Sequence, residues 1–111
     1  MILERATVAV RPGTGPDFEA AVTRGAPAVT GSPGFRSLRL HRGIENPDSY
    51  LLLITWDRLE DHTVGFRGSD AFVRWRAEIG PYLDGEPDVE HFSPTDPVLE
   101  APAAVSPPGR H

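Results

Sequence analysis

The chain contains no cysteine, no lysine and a single methionine. Without cysteine it has no disulfide, no thiolate nucleophile and no cysteine-ligated metal or iron–sulfur site. All 11 basic residues are arginine, a bias that fits GC-rich codon usage alongside the Ala, Gly and Pro content. No apolar stretch approaches the roughly 20 residues of a membrane span. The opening MILERATVAV lacks the basic region and apolar run of a signal peptide, so a cytoplasmic location is expected. A net charge of -5 makes nucleic acid and anionic membranes unexpected partners. His41, His62, His91 and His111 have no metal-ligand spacing, and PGTGPD lacks the lysine that a phosphate loop needs.

What is present suits one small domain. A chain of 111 residues buries roughly two-thirds of its unfolded surface, enough for one sheet with helices on one side. It leaves little room for both a full core and a deep private cavity, so dimerisation is expected. ILERATVAV places Ala6, Val8 and Val10 on one face of a first strand. Thr14, Pro16 and Asp17 form a box-like helix start, and Phe18, Ala21, Val22, Gly25 and Val29 recur at helical spacing. Pro27 predicts a kink or an end near Ala26. A second strand is expected over 35–41, and the apolar run YLLLITW reads as a central strand that wants cover on both faces. Asp57 with Glu60 predicts a capped helix to about Phe66, Ser69 restarts a helix over about 70–83, and 89–93 is a short last strand. Residues 94–111 are Pro/Ala-rich and are expected to lack a fold of their own.

The order β-α-β-β-α-(α)-β is ferredoxin-like: an α+β fold whose four-stranded antiparallel sheet carries helices on one face. Two such sheets packed together make a dimeric α+β barrel, which would cover the second face of YLLLITW.

The stretch 56–76 holds both tryptophans, a histidine and four arginines. On a wheel of about 100° per residue, His62 and Phe66 fall on the side of Leu59, and Arg76 falls within the stripe of Phe72, Trp75, Ile79 and Leu83. Arg58, Arg67 and Arg74 read as solvated surface. An inward guanidinium cannot lose its proton, so it needs an anion, a hydrogen-bonded partner or water. Such an arginine can pair with a structural carboxylate such as Glu4 or Glu90. An inward histidine can be a core residue, and Trp56 and Trp75 can be core rather than ring platforms. Co-location favours a site: an aromatic wall, a base titrating near neutrality and a fixed cation suit binding and deprotonation of a phenol or ketone.

The segment LLLITWDRLEDHTVGFRGSDAFVRWR, preceded by PGF and a strand, resembles the antibiotic biosynthesis monooxygenase (ABM) family of dimeric α+β barrel proteins. The resemblance covers residues 2–93, and the expected domain is residues 1–93. The family's haem-degrading branch carries an asparagine on the first strand, a tryptophan after the short helix and a histidine on the next. Here the first strand has no asparagine, and Phe66 and Arg76 occupy the other two places, so haem is not an expected cofactor. The family's cofactor-free anthrone oxygenases carry a tryptophan ending the third strand, a tyrosine six residues on and an arginine on the next long helix. Trp56, His62 and Arg76 stand at those places, with histidine replacing tyrosine.

The resemblance implies a cofactor-independent monooxygenase using O₂ on an aromatic polyketide-like phenol or anthrone, acting as a homodimer. Trp56, His62 and Arg76 are the expected catalytic residues; Phe66, Phe72 and Trp75 are expected to bind the substrate. A polyketide cyclase or isomerase, or a non-catalytic dimeric binding or stress-related protein, would use the same scaffold.

Overall fold

The computed structural model describes residues 1–102. Its elements are β1 (Ile2–Ala9), α1 (Gly15–Thr30), β2 (Phe35–Arg42), β3 (Ser49–Trp56), a π-helical turn (Asp61–Phe66), α2 (Asp70–Ile79), a 3-10 turn (Gly80–Tyr82) and β4 (Asp88–Phe92). The strands form one antiparallel sheet in the order β2-β3-β1-β4. This is the expected ferredoxin-like arrangement, with the helices against one face.

Strand alternation decides which side chains meet the helices. Tyr50, Leu52, Ile54 and Trp56 of β3 are buried, while Ser49, Leu51, Leu53 and Thr55 between them are half-buried on the opposite face. On β1 the residues aligned with the buried set are Ile2, Glu4, Ala6 and Val8. The alternation thus carries one carboxylate, Glu4, into an otherwise apolar row. Across β4, Glu4 is paired with His91 and Ala6 with Val89.

Helix α1 buries Phe18, Ala21, Val22, Gly25 and Val29. Gly25 lets α2 approach: a Cβ there would lie 2.9 Å from the Trp75 ring. The helix runs through Pro27 to Thr30 instead of ending near Ala26. Pro27 is exposed, so water can take the carbonyl left without its donor, while buried Val29 anchors the last turn.

Two expected caps are replaced. Thr14 does not cap α1; its hydroxyl donates to the Arg11 carbonyl at 2.7 Å. Asp57 is paired with Arg36, and Asp61 instead accepts the Arg58 N–H at 3.0 Å. Ser69 caps α2 as expected, its hydroxyl oxygen accepting the Phe72 N–H at 3.3 Å. Helix α2 ends at Ile79, because Gly80-Pro81 tightens the chain into the 3-10 turn. Residues 94–102 form neither helix nor strand; the rest of the expected tail, 103–111, lies outside the described residues.

Candidate active site

The segment after β3 closes as a π-helical turn, with the Arg67 N–H donating five residues back to the His62 carbonyl at 3.1 Å. A turn wider than an α-helix changes the wheel. His62 and Phe66 are buried, 3% exposed each, whereas Leu59 is 40% exposed and does not join them. Such turns concentrate at functional sites. This one lowers an imidazole onto the sheet directly above Glu4 and His91.

Four polar groups then form a connected set. The Trp56 indole N–H donates to Glu4 Oε1 at 2.9 Å. His62 Nε2 lies 3.2 Å from the same oxygen. His62 Nδ1 shares a 2.8 Å hydrogen bond with His91 Nε2. With Glu4 ionised, the Trp56 N–H points at Oε1, His62 Nε2 stands in close contact with that oxygen without an aligned hydrogen bond, and His91 Nε2–H can donate to His62 Nδ1.

Burial sets their electrostatics. Desolvation raises the Glu4 carboxyl above its ordinary value, against the opposing pull of the Trp56 hydrogen bond and the Arg67 charge. Desolvation likewise lowers His62 to about 4, with Arg67 and His91 adding to the effect. His91 is lowered for the same first reason and by Arg67. His62 is therefore a neutral imidazole around neutral pH.

Beside this set lies a cavity of about 220 Å³ between the sheet and α2. Ala6, Val8, Leu52 and Ile54 floor it, Phe66, Phe72, Trp75 and Ile79 wall it, and Glu4 and His62 face it from one side. Arg67, Arg76, Glu86, Pro87 and Val89 complete the lining. The walls are joined edge to face, the Phe66 and Phe72 rings lying 5.5 Å apart at 89°. Among the described residues no three His, Asp or Glu side chains are placed to share a metal ion.

The structure thus brings His62, Phe66, Phe72, Trp75 and Arg76 to one cavity and leaves Trp56 out of its lining. Trp56 is fully buried behind it, its indole stacked on His62 with ring centres 5.5 Å apart. Trp56, expected among the catalytic residues, therefore does not line the cavity. Its side chain reaches the site through Glu4, to which its N–H donates, and through the His62 and Phe66 rings packed against it. Arg76 pairs with neither Glu4 nor Glu90. Its Nη2 lies 3.1 and 3.0 Å from the two oxygens of exposed Glu86, with its guanidinium carbon 5.9 Å from the Phe72 ring centre.

Three lining or supporting groups escape the reading of 56–76. Glu4 was visible as the one carboxylate on the buried face of ILERATVAV, a costly placement unless it is partnered. His91 has no such signal, since only the β1–β4 register sets it opposite Glu4. Arg67 reads as surface by spacing and is exposed overall, yet it forms part of the cavity lining.

The antibiotic biosynthesis monooxygenase family model matches residues 1–78. The chain belongs to the antibiotic biosynthesis monooxygenase family. Among curated relatives of this ABM chain is the uncharacterized protein YczJ of Bacillus subtilis (strain 168), 38% identical over 92 residues, covering 83% of this chain and 97% of the relative. A crystal structure from Bordetella bronchiseptica bearing the same family description is 36% identical, with a TM-score of 0.82 over 85% of this chain and 96% of its own. SnoaB of Streptomyces nogalater, a cofactor-independent oxygenase, superposes with a TM-score of 0.76 over 89% of this chain and 97% of its own. At 17% identity that likeness is one of fold.

Proposed function

We propose that this ABM protein is a cofactor-independent monooxygenase whose substrate is a compact, electron-rich phenol or aromatic ketone. One observation carries the reading: an apolar cavity faced by a buried carboxylate–imidazole pair and lined also by Arg67 and Arg76. The pair removes an acidic proton, and the guanidiniums offset the charge that appears on the substrate oxygen. Phe66, Phe72 and Trp75 hold the ring and keep water out.

The resulting carbanion passes an electron to O₂, and recombination places a hydroperoxide on that carbon. Loss of water then leaves a carbonyl. A CH₂ group and O₂ become C=O and H₂O, the substrate supplying all the electrons that O₂ accepts. The resemblance to the anthrone oxygenases points to tricyclic substrates, but 220 Å³ is below the roughly 300 Å³ at which pockets for drug-sized ligands begin. One- and two-ring substrates fit this volume better.

The half-exposed outer face of the sheet, with Leu3, Leu51 and Leu53, supports a homodimer formed through that face.

The test is oxygen uptake by the purified protein on 2-tetralone and 1-naphthol under ¹⁸O₂, with no metal or flavin added. One labelled atom is expected in the organic product and the other in water. Turnover that persists under strict anaerobiosis would assign a cyclase or isomerase instead. Arg76→Ala should lower turnover at least about tenfold while the thermal midpoint moves little, since its partner Glu86 is exposed. A fully active Arg76→Ala protein would remove Arg76 from the mechanism.

A further inference from the structure

We propose that the Glu4 carboxylate, through its free oxygen Oε2, is the catalytic base that touches the substrate, and that His62 holds it rather than acting in its place. The inference rests on the reading of the cavity as a proton-abstracting site and identifies the group that abstracts.

Both ring nitrogens of His62 are already within reach of protein partners. Nε2 faces Glu4 Oε1 at 3.2 Å, and Nδ1 is bound to His91 at 2.8 Å. With His91 Nε2–H donating to Nδ1, the one lone pair of the neutral imidazole is directed at His91 and none is left for a ligand. Glu4 divides its oxygens differently. Oε1 faces both the Trp56 indole and His62, whereas Oε2 receives no hydrogen bond among the described residues. No buried side-chain nitrogen or oxygen of the described residues lacks a partner. Oε2 is therefore open, and the opening it shares is the cavity that Glu4 helps to line.

A carboxylate held at one oxygen and bare at the other, in a residue only 6% exposed, is oriented for reaction. Fixing Oε1 with the Trp56 N–H, beside His62 Nε2 at 3.2 Å, aims Oε2 without consuming its lone pairs. Burial among Ala6, Leu52 and Ile54 makes the ionised form a stronger base than a solvated carboxylate. The charged or titratable groups around it are His62 on the π-helical turn, His91 on β4, Arg67 following the turn, and Arg76 and Glu86 on the cavity lining. Two of these are cations able to offset the enolate oxygen.

The step is a simple proton transfer. A C–H bond α to the substrate carbonyl breaks, and its proton forms an O–H bond with Glu4 Oε2. The electron pair stays on the substrate and spreads into the carbonyl oxygen as an enolate. Reversal in D₂O returns deuterium to the same carbon. Oxygen takes no part, so the step can be followed without it.

The experiment is anaerobic hydrogen–deuterium exchange at C1 of 2-tetralone in D₂O, read by proton NMR, alongside oxygen uptake in air. The wild-type protein is expected to accelerate exchange. Glu4→Gln, which keeps an acceptor for the Trp56 indole, should lower that rate by at least about 100-fold. His62→Gln, which keeps an N–H toward Oε1, should lower it by about tenfold or less. The opposite ranking, or exchange by Glu4→Gln within about threefold of wild type, overturns the proposal, as does a wild-type protein that accelerates no exchange. Near-UV circular dichroism of the Trp56 environment reports whether Glu4→Gln is folded. If it is not, Glu4→Asp decides: with the carboxylate withdrawn by one methylene, a folded protein exchanging at the wild-type rate overturns the assignment, and a slowed rate supports it. Exchange without oxygen uptake would sink the monooxygenase reading and leave Glu4 as the base. Oxygen uptake undiminished in Glu4→Gln would do the reverse.

Discussion

Glu4 and His62 are each unfavourable where they sit, and in opposite senses. Burial makes the carboxyl hold its proton more tightly in the folded chain than in the unfolded one, and makes the imidazole hold its proton less tightly. From pH 4.5 up to the raised Glu4 value, the folded state carries the extra carboxyl proton, so this group lowers stability as pH rises. From about pH 4 to 6.5 the unfolded state carries the extra imidazole proton, so His62 raises stability as pH rises. The two slopes oppose each other in the intact protein. Single substitutions should separate them. Glu4→Gln leaves the His62 slope, about 3 kcal/mol between pH 4 and 6.5 from a shift of that size. His62→Gln leaves the Glu4 slope opposed only by that of His91, so stability gains less with rising pH than in Glu4→Gln. Urea unfolding across this pH range measures both; parallel curves for the two variants would show that the residues are not so opposed. Neither residue announces this pairing by its spacing. Glu4 stood out only as a charge on an apolar strand face, and its meaning came from a histidine 58 positions away that is buried over it.

At the scale of elements, most of the architecture was legible because it follows from period. Strand alternation in ILERATVAV and YLLLITW, helical spacing from Phe18 to Val29, and the Ser69 cap all describe local preferences that tertiary packing reinforces. The departures occur where a local rule met a wider context. Pro27 did not end α1 because it faces water, and the Asp57–Glu60 box gave way to a π-helical turn whose first residue, Asp61, accepts the Arg58 N–H. The wider turn explains why Leu59 is exposed while His62 and Phe66 point inward. A second element-level feature is the closeness of α1 to α2 at Gly25. A methyl group there would meet Trp75 Cε3 at 2.9 Å and Glu78 Cβ at 3.3 Å. Gly25→Ala gains up to about 1 kcal/mol of helix propensity but incurs an overpacking cost of about 1–3 kcal/mol. Net destabilisation of about 1 kcal/mol is expected in urea unfolding, with Trp75 displaced toward the cavity and ligand affinity reduced. A stabilised Gly25→Ala protein would mean that the interhelical spacing is set elsewhere.

For the whole molecule, the two faces of the sheet have separate tasks. The inner face spends its positions on the core, the cavity and the Glu4 set, leaving the outer face with half-buried leucines bordered by arginines. Leu53 lies between Arg5 on β1 and Arg39 on β2 in the strand register. A small domain cannot cover such a face with its own helices, since both lie on the other side, and a second copy supplies apolar area without further chain. Leu53→Glu tests this arrangement with little risk to the fold. In a lone chain the new carboxylate sits on an accessible strand face between two guanidiniums, so the monomer gains cross-strand ion pairs of modest value. In a dimer the same carboxylate is pressed into an apolar seam, where an incompletely paired charge costs several kcal/mol per subunit. Light scattering should therefore report a mass falling from that of two chains to the 12.1 kDa of one, with the far-ultraviolet dichroism unchanged. The cavity lies between sheet and helices within a single chain, so the dissociated variant should still bind a compact phenol, with affinity lowered by less than about tenfold. Loss of all binding on dissociation would show instead that the second subunit completes the site, and a wild-type mass of one chain would remove the dimer altogether.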